Sequence, residues 1–320
     1  MRVIRYIFLV VLPVMCLFSC SEDTLDGRKP GVSSEIRNKK ETVTFINKTN
    51  NAIIYAFRKE GEGYWYNSTI GEHWNEGKIK VSMPMGEYKF LFSESSGNNF
   101  MLIPETLTPI TNYKDVMFVV KPDVLNNGCL MPSGELFLQE YQIADSVYSI
   151  SSGSTITCTL KRAVSQLRIT VKQGYKHGDE YIPVPYEQGH SMADIFENIQ
   201  VEITGVGKCV NASGTYDTGK SLSTYSIDKN VLTADGFIDI DGPFFLPSSN
   251  SERKISLKVS LNPVDGSPFQ KMEKLLTGHA ERNEQLEIRL WVNSAYKLIG
   301  ITLDRIPISE KITGDNGMWN

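Results

Sequence analysis

The chain has 320 residues, a mass of 35.9 kDa and a pI of about 5.7. Charged residues make up 22% and hydrophobic residues 41%, which excludes a wholly disordered chain, collagen, a coiled coil and a polytopic membrane protein. The formal charge of −4 argues against a dedicated nucleic-acid binder, and five cysteines exclude a disulfide-dense scaffold.

Arg2 and Arg5 precede the apolar run Tyr6–Phe18, which ends at Ser19-Cys20. A short basic region ahead of such a run predicts a signal peptide over residues 1–19. The run is shorter than the ~20 residues of a spanning helix. Leu17-Phe18-Ser19-Cys20 resembles a bacterial lipobox, which implies cleavage after Ser19 and lipid on Cys20. Acyl chains contribute about 0.8 kcal/mol per buried methylene, so several together anchor a protein stably. Ser21-Glu22-Asp23 resembles the signal that sends lipoproteins of Bacteroidota to the outer face of the outer membrane. Cleavage removes Arg2, Arg5 and Cys16, leaving 31 basic against 37 acidic residues and a charge of −6. Beyond Cys20, the cysteines Cys129, Cys158 and Cys209 allow at most one disulfide, and buried thiols are the favoured reading. Their spacing suggests no metal site. Residues 20–40 read as a lipidated flexible tether, rich in charge, Gly, Ser and Pro.

Strand signals follow. Thr42–Ile46 and Ala52–Phe57 flank the turn-forming Asn47–Asn51 and predict a hairpin. Tyr64–Ile70, Lys78–Met83, Tyr88–Phe92, Asp115–Val120 and Glu135–Gln139 continue the series. A second series starts near Ser154. In Thr155–Leu160, Ile156, Cys158 and Leu160 share a face, and Val164, Leu167, Ile169 and Val171 carry the pattern on. Ile199–Ile203, Gly236–Ile240, Lys254–Leu261, Gln285–Val292 and Lys297–Leu303 complete it. Lys254–Leu261 is the cleanest alternation, with Ile255, Leu257, Val259 and Leu261 inward. Short helices are predicted at Ser191–Ile199 and Pro268–Leu276. Many short strands without intervening helices predict an all-β protein of antiparallel sandwiches. The length predicts two domains, 41–152 and 153–320, parted at the small, polar Ser149–Ser154.

Catalytic patterns fail on context. Gly189-His190-Ser191-Met192-Ala193 has the letters of a nucleophile elbow with His279 downstream, but that device needs a strand-to-helix turn on a parallel sheet. Asp217-Thr218-Gly219 occurs once, whereas aspartic-protease chemistry needs two aspartates. Asp239–Gly242 lacks the remaining ligands of a calcium loop and reads as a strand running into a turn. His73, His177, His190 and His279 are scattered. No catalytic, cofactor-binding or metal-binding residue is expected. Tyr64, Trp65, Tyr66 and Trp74 form a candidate aromatic contact surface for sugar rings. Period two sends Trp65 to one face and Tyr64 and Tyr66 to the other, which favours core or inter-subunit packing.

Met85–Phe92 is similar to the Gly-x-Tyr-x-Phe strand that marks the first domain of the fimbrillin-like proteins of Bacteroidota. Leu160–Val171 is similar to the strand pair that opens their second domain. With the lipoprotein signal ending at Cys20, the chain resembles the FimB-type anchor and tip subunits over most of residues 41–303. The resemblance implies two transthyretin-like sandwiches in tandem, and assembly rather than catalysis. Subunits of this kind are exported as lipoproteins, and many are cut in the N-terminal region by a trypsin-like protease. Loss of a strand opens a groove that a neighbouring subunit's strand fills, because an open edge presents unpaired N–H and C=O groups. Arg37, Lys39 and Lys40 are the candidate cleavage positions. The implied partners are other fimbrial subunits, the outer membrane through Cys20, and a host or bacterial surface ligand. A surface glycan-binding lipoprotein is the alternative. The C-terminal end, from Ile306 to Trp319 and Asn320, is poor material for a long donor strand, which suits a terminal subunit.

Overall fold

Alternating apolar and polar residues build strands that bury one face and wet the other. In this protein, strands carry nearly all of the architecture. The structure, a computed structural model, describes residues 39–308 apart from 48–50, 72, 97–98, 124–127, 132–133, 140–144, 185–191, 218–220, 229–237, 248–254 and 276–280. The signal region, Ser19, Cys20, Arg37, His190, Ser191, His279 and the segment after Ile308 lie outside the described residues.

The N-terminal part contains β1 (Lys40–Asn47), β2 (Ile53–Glu60), β3 (Gly63–Ile70), β4 (Lys78–Pro84), β5 (Gly86–Ser95), β6 (Phe100–Ile103), β7 (Met117–Val120), β8 (Pro122–Asp123), β9 (Gly128–Leu130), β10 (Leu136–Gln139), β11 (Tyr148–Ile150), β12 (Thr155–Cys158) and β13 (Leu160–Arg162). One sheet has the order β12-β1-β4. The other runs β13-β10-β5-β2-β3, with β11 also on β5. Between them lies a core of Val43 and Phe45 from β1, Met83 from β4, Cys158 from β12, Ile54 from β2, and Phe90 and Phe92 from β5.

The C-terminal part contains β14 (Ser165–His177), β15 (Glu180–Pro183), helix α1 (Met192–Ile195), β16 (Phe196–Val206), β17 (Cys209–Asn211), β18 (Ser221–Asp228), β19 (Ile238–Phe245), β20 (Ser256–Pro263), β21 (Gln270–Leu275), β22 (Glu284–Val292) and β23 (Leu298–Pro307). One sheet is β15-β14-β22-β23 with β19 on β14, and the facing sheet is β21-β20-β16-β18-β9-β8. Leu167, Ile169 and Val171 of β14 meet Ile199, Val201 and Ile203 of β16 and Leu257, Val259 and Leu261 of β20 in a second core. Each such buried aliphatic side chain contributes roughly 1.5–3 kcal/mol relative to exposure. The chain is thus all-β, two sandwiches in tandem. Most pairs are antiparallel, but β1–β12, β14–β22 and β9–β18 are parallel.

A third core joins the sandwiches. The outer face of the β2–β5 sheet supplies Phe57, Leu91, Leu136 and Leu138, and the C-terminal part supplies Val210, Ala212 and Leu246. β5 is therefore covered on both sides: Phe90 and Phe92 point to one core and Leu91 to the other. Strands are also exchanged. β9 of the N-terminal part pairs with β18, and β17 pairs with β7.

Several sequence expectations change. β12 and β13 add to the N-terminal sheets, so the second series begins at Ser165 rather than near Ser154. The Ser149–Ser154 stretch begins within β11, a paired strand. Of the two predicted helices, only Met192–Ile195 is helical in the first, and Phe196 onward is a strand whose Phe196, Ile199 and Val201 are fully buried. The second is strand β21, paired antiparallel with β20. Pairing overrides the helix propensity of Gln, Lys, Met and Glu there. Asp239–Gly242 lies inside β19, which continues to Phe245.

Candidate functional site

The assembly chemistry expected of this chain turns on its first strand. β1 lies in the middle of its sheet: Thr44–Asn47 run parallel to Thr155–Cys158, and Lys40–Ile46 run antiparallel to Lys78–Pro84. Its inward side chains Val43 and Phe45 are fully buried. The Phe45 ring meets Phe90 edge-on at 5.2 Å between centroids and Phe92 at 6.4 Å. Such pairs add about 0.5–1.5 kcal/mol beyond area burial.

Both ends of β1 are fixed by backbone bonds. The Met85 N–H donates to the Lys39 carbonyl at 2.9 Å, and the Asn47 N–H donates to the Gly77 carbonyl at 2.8 Å. Gly77 has φ +72°, and a Cβ there would strike the Asn47 carbonyl, so this turn requires glycine. Withdrawing β1 would strip both β4 and β12 of their partner and open the core between them. Such a groove accepts an added strand.

Lys39 and Lys40 stand at the entrance to β1. The Lys39 side chain is exposed and pairs with Glu41 at 2.9 Å, and this ammonium holds the Glu41 carboxyl below the usual carboxylate range. A cut after either lysine falls ahead of the buried part of β1 and leaves Val43 and Phe45 in the sheet. The next basic residue along the sequence, Lys48, lies outside the described residues.

The four aromatic residues do not form one surface. Trp74 packs on the first core, and its indole N–H donates to the Ala52 carbonyl at 2.8 Å. Tyr64 and Tyr66 pack against the joining core, and Tyr66 meets Phe57 at 6.0 Å between centroids. Trp65 is half-buried, with its indole N–H 3.3 Å from the Glu60 carbonyl. Tyr64 and Trp65 do share a hollow with Lys89, Asn112 and Asp115. Sequence reading missed those three, because only the fold brings residues 112–115 beside β3.

Cys158 carries a free thiol in the first core, where burial pushes its pKa up and keeps it protonated. Cys209 opens β17 and is half-buried. Cys129 lies in β9. Asp217 is structural: its carboxylate accepts the Lys208 N–H at 3.0 Å. Among the described residues, no group of His, Cys, Asp and Glu side chains is placed to hold a metal ion.

The family of fimbrillin-A associated anchor proteins Mfa1 and Mfa2 matches residues 26–265. This chain belongs to that family. Among solved structures, a candidate adhesin from Bacteroides ovatus is similar at 10% identity, over 83% of this chain and 92% of that one, with a TM-score of 0.50. A candidate adhesin from Bacteroides thetaiotaomicron has 13% identity over 84% and 97%, with a TM-score of 0.49. A fimbrial protein from Bacteroides vulgatus has 11% identity over 84% and 98%, with a TM-score of 0.44. At these identities the likeness concerns the fold. No curated protein matches the chain. The family places the chain among fimbrial proteins that associate with other fimbrial subunits.

Proposed function

We propose that this Mfa2-family chain is a non-enzymatic subunit that ends a surface fimbria, as an anchor or a cap, and joins its neighbour by β-strand addition. The observation that carries the reading is the central place of β1, with the candidate cleavage residues Lys39 and Lys40 ahead of it. Cleavage there would remove the lipidated tether yet leave the first sandwich filled, whereas an uncut chain keeps both tether and lipid. A filled sandwich offers no acceptor groove on that side, which suits the end of a polymer rather than its stalk. The sequence of the N-terminus supports the anchor in particular: a lipidated Cys20 on a tether reaching to β1 would hold the subunit at the outer membrane, exposed at the cell surface. The domain division consistent with the strand pairing falls at Ala163-Val164, between β13 and β14.

The test of the anchor is Cys20→Ala. The expected result is loss of acyl label and release of the protein and its attached fimbriae from the outer-membrane fraction into the medium. The change would be large, because lipid supplies the whole membrane affinity in this reading. Full retention in the membrane fraction would overturn it.

A further inference from the structure

The geometry points to a carbohydrate site in the hollow beside β3, sized for one hexopyranose ring with a neighbour. It is independent of how the subunit assembles. The hollow measures about 480 Å³, within the roughly 300–1,000 Å³ of small-molecule sites. Its walls join the half-buried rings of Tyr64 and Trp65, backed by the buried Tyr113, to Asn112 and to two cations, Lys89 and Lys114, balanced by two carboxylates, Glu62 and Asp115. A pyranose presents two kinds of surface: a face of C–H groups, which suits the negative face of an aromatic ring, and a rim of hydroxyls that both donate and accept.

The walls are fixed before any ligand arrives. Trp65 forms a backbone bridge with Asn112, and the Tyr66 N–H donates to the Thr111 carbonyl at 2.9 Å. Tyr113 is 2% exposed and its hydroxyl donates to the Ala212 carbonyl at 2.9 Å. Gly63 stands between the walls: a Cβ there would lie 2.8 Å from Trp65 Nε1 and 3.0 Å from Asn112 Nδ2. Preorganisation of this kind lowers the entropy lost on binding.

The polar groups favour a neutral ligand. The Lys89 ammonium is already ion-paired with Asp145 at 2.6 Å and lies 5.3 and 5.0 Å from the centroids of the Tyr64 and Tyr113 rings. Its charge is spent, so an anionic ligand gains little from it. Asn112 Oδ1 accepts the Lys114 N–H at 3.1 Å, which leaves the amide nitrogen as a donor for a hydroxyl. The exposed Asp115 supplies an acceptor. Neutral hexoses on host glycans and on bacterial polysaccharides share this chemistry.

The experiment is a saccharide array with a mammalian and a bacterial arm, followed by titration calorimetry. It uses the full-length protein in a detergent without a sugar headgroup. Probes are glucose, galactose, mannose, N-acetylglucosamine and their dimers. The expected result is saturable binding of at least one probe, weakened about tenfold or more in both Trp65→Ala and Asp115→Ala; the arms then tell which source is used. A lowered melting temperature would identify a Trp65→Ala protein that merely misfolds, and Asp115→Ala, on an exposed turn, then decides. No saturable binding up to about 10 mM, or binding unchanged by Asp115→Ala, would overturn the proposal.

Discussion

Arg162→Ala should lower the free energy of unfolding by about 3–5 kcal/mol. Arg162 ends β13, the last strand of the N-terminal sheets, and is 4% exposed. Its guanidinium donates to Glu135 Oε1 from Nε at 2.7 Å and from Nη2 at 2.6 Å, and from Nη1 to Asn283 Oδ1 at 2.7 Å. Asn283 belongs to the turn ahead of β22, so one side chain ties the two sandwiches together. Its own carbonyl accepts from Arg282 Nε at 3.1 Å. Truncation leaves the Glu135 carboxylate and the Asn283 carbonyl without these donors in a largely dry junction. The cost is mostly that of the stranded partners. Arg162→Met combined with Glu135→Leu should therefore recover much of the loss. Urea unfolding of the wild type and the two variants measures this; an Arg162→Ala cost below about 1 kcal/mol would mean the pair behaves like a surface ion pair.

The same region holds further contacts between the two sandwiches. The Tyr216 hydroxyl donates to the Ala163 carbonyl at 2.7 Å, and burial pushes its pKa up to about 12, so it stays a donor at neutral pH. Together with the exchanged strands β9 and β17, these contacts couple the halves.

Phe45→Ala should cost a further large amount, about 3–5 kcal/mol, and should concentrate it in one place. Phe45 is the fully buried anchor of β1, and its removal leaves a cavity facing Phe90 and Phe92. β1 would still have the register of both neighbours but would lose its deepest side chain. Hydrogen exchange is expected to accelerate first in β1, β4 and β12, with the C-terminal sandwich protected as before. A strand loosened in this way can be displaced, so the variant should also begin to accept a strand from another subunit in native gels. Uniformly faster exchange across both sandwiches, or none in β1, would contradict the view of β1 as a separately held plug.

Much of this fold is legible in the sequence wherever one face of a strand is wholly buried. Lys254–Leu261 and Gln285–Val292 alternate or run apolar because their inward residues fill the second core. Strands that earn little burial leave weaker marks. Ser221–Asp228 is mostly polar and pairs with β16 and β9 through its backbone. Gln270–Leu275, at the end of its sheet, carries helix-favouring residues and has β20 as its ladder partner, with Gln270 tied to Tyr296 and Leu298. For the candidate site, the strand character of residues 42–46 is visible locally. Its central position depends on pairing with residues 155–158, more than a hundred positions away, which no local pattern encodes. The aromatic quartet shows the opposite limit: neighbours in sequence, Trp74 and Tyr66 are parted by the sheet into different cores.

Whether β1 stays in place is read from the intact mass and N-terminal residue of the protein isolated with surface fimbriae. The expected result is a chain that retains Glu41–Asn47 and, in the anchor, begins at acylated Cys20. A mature chain that begins beyond Asn47, with β1 gone, would contradict it.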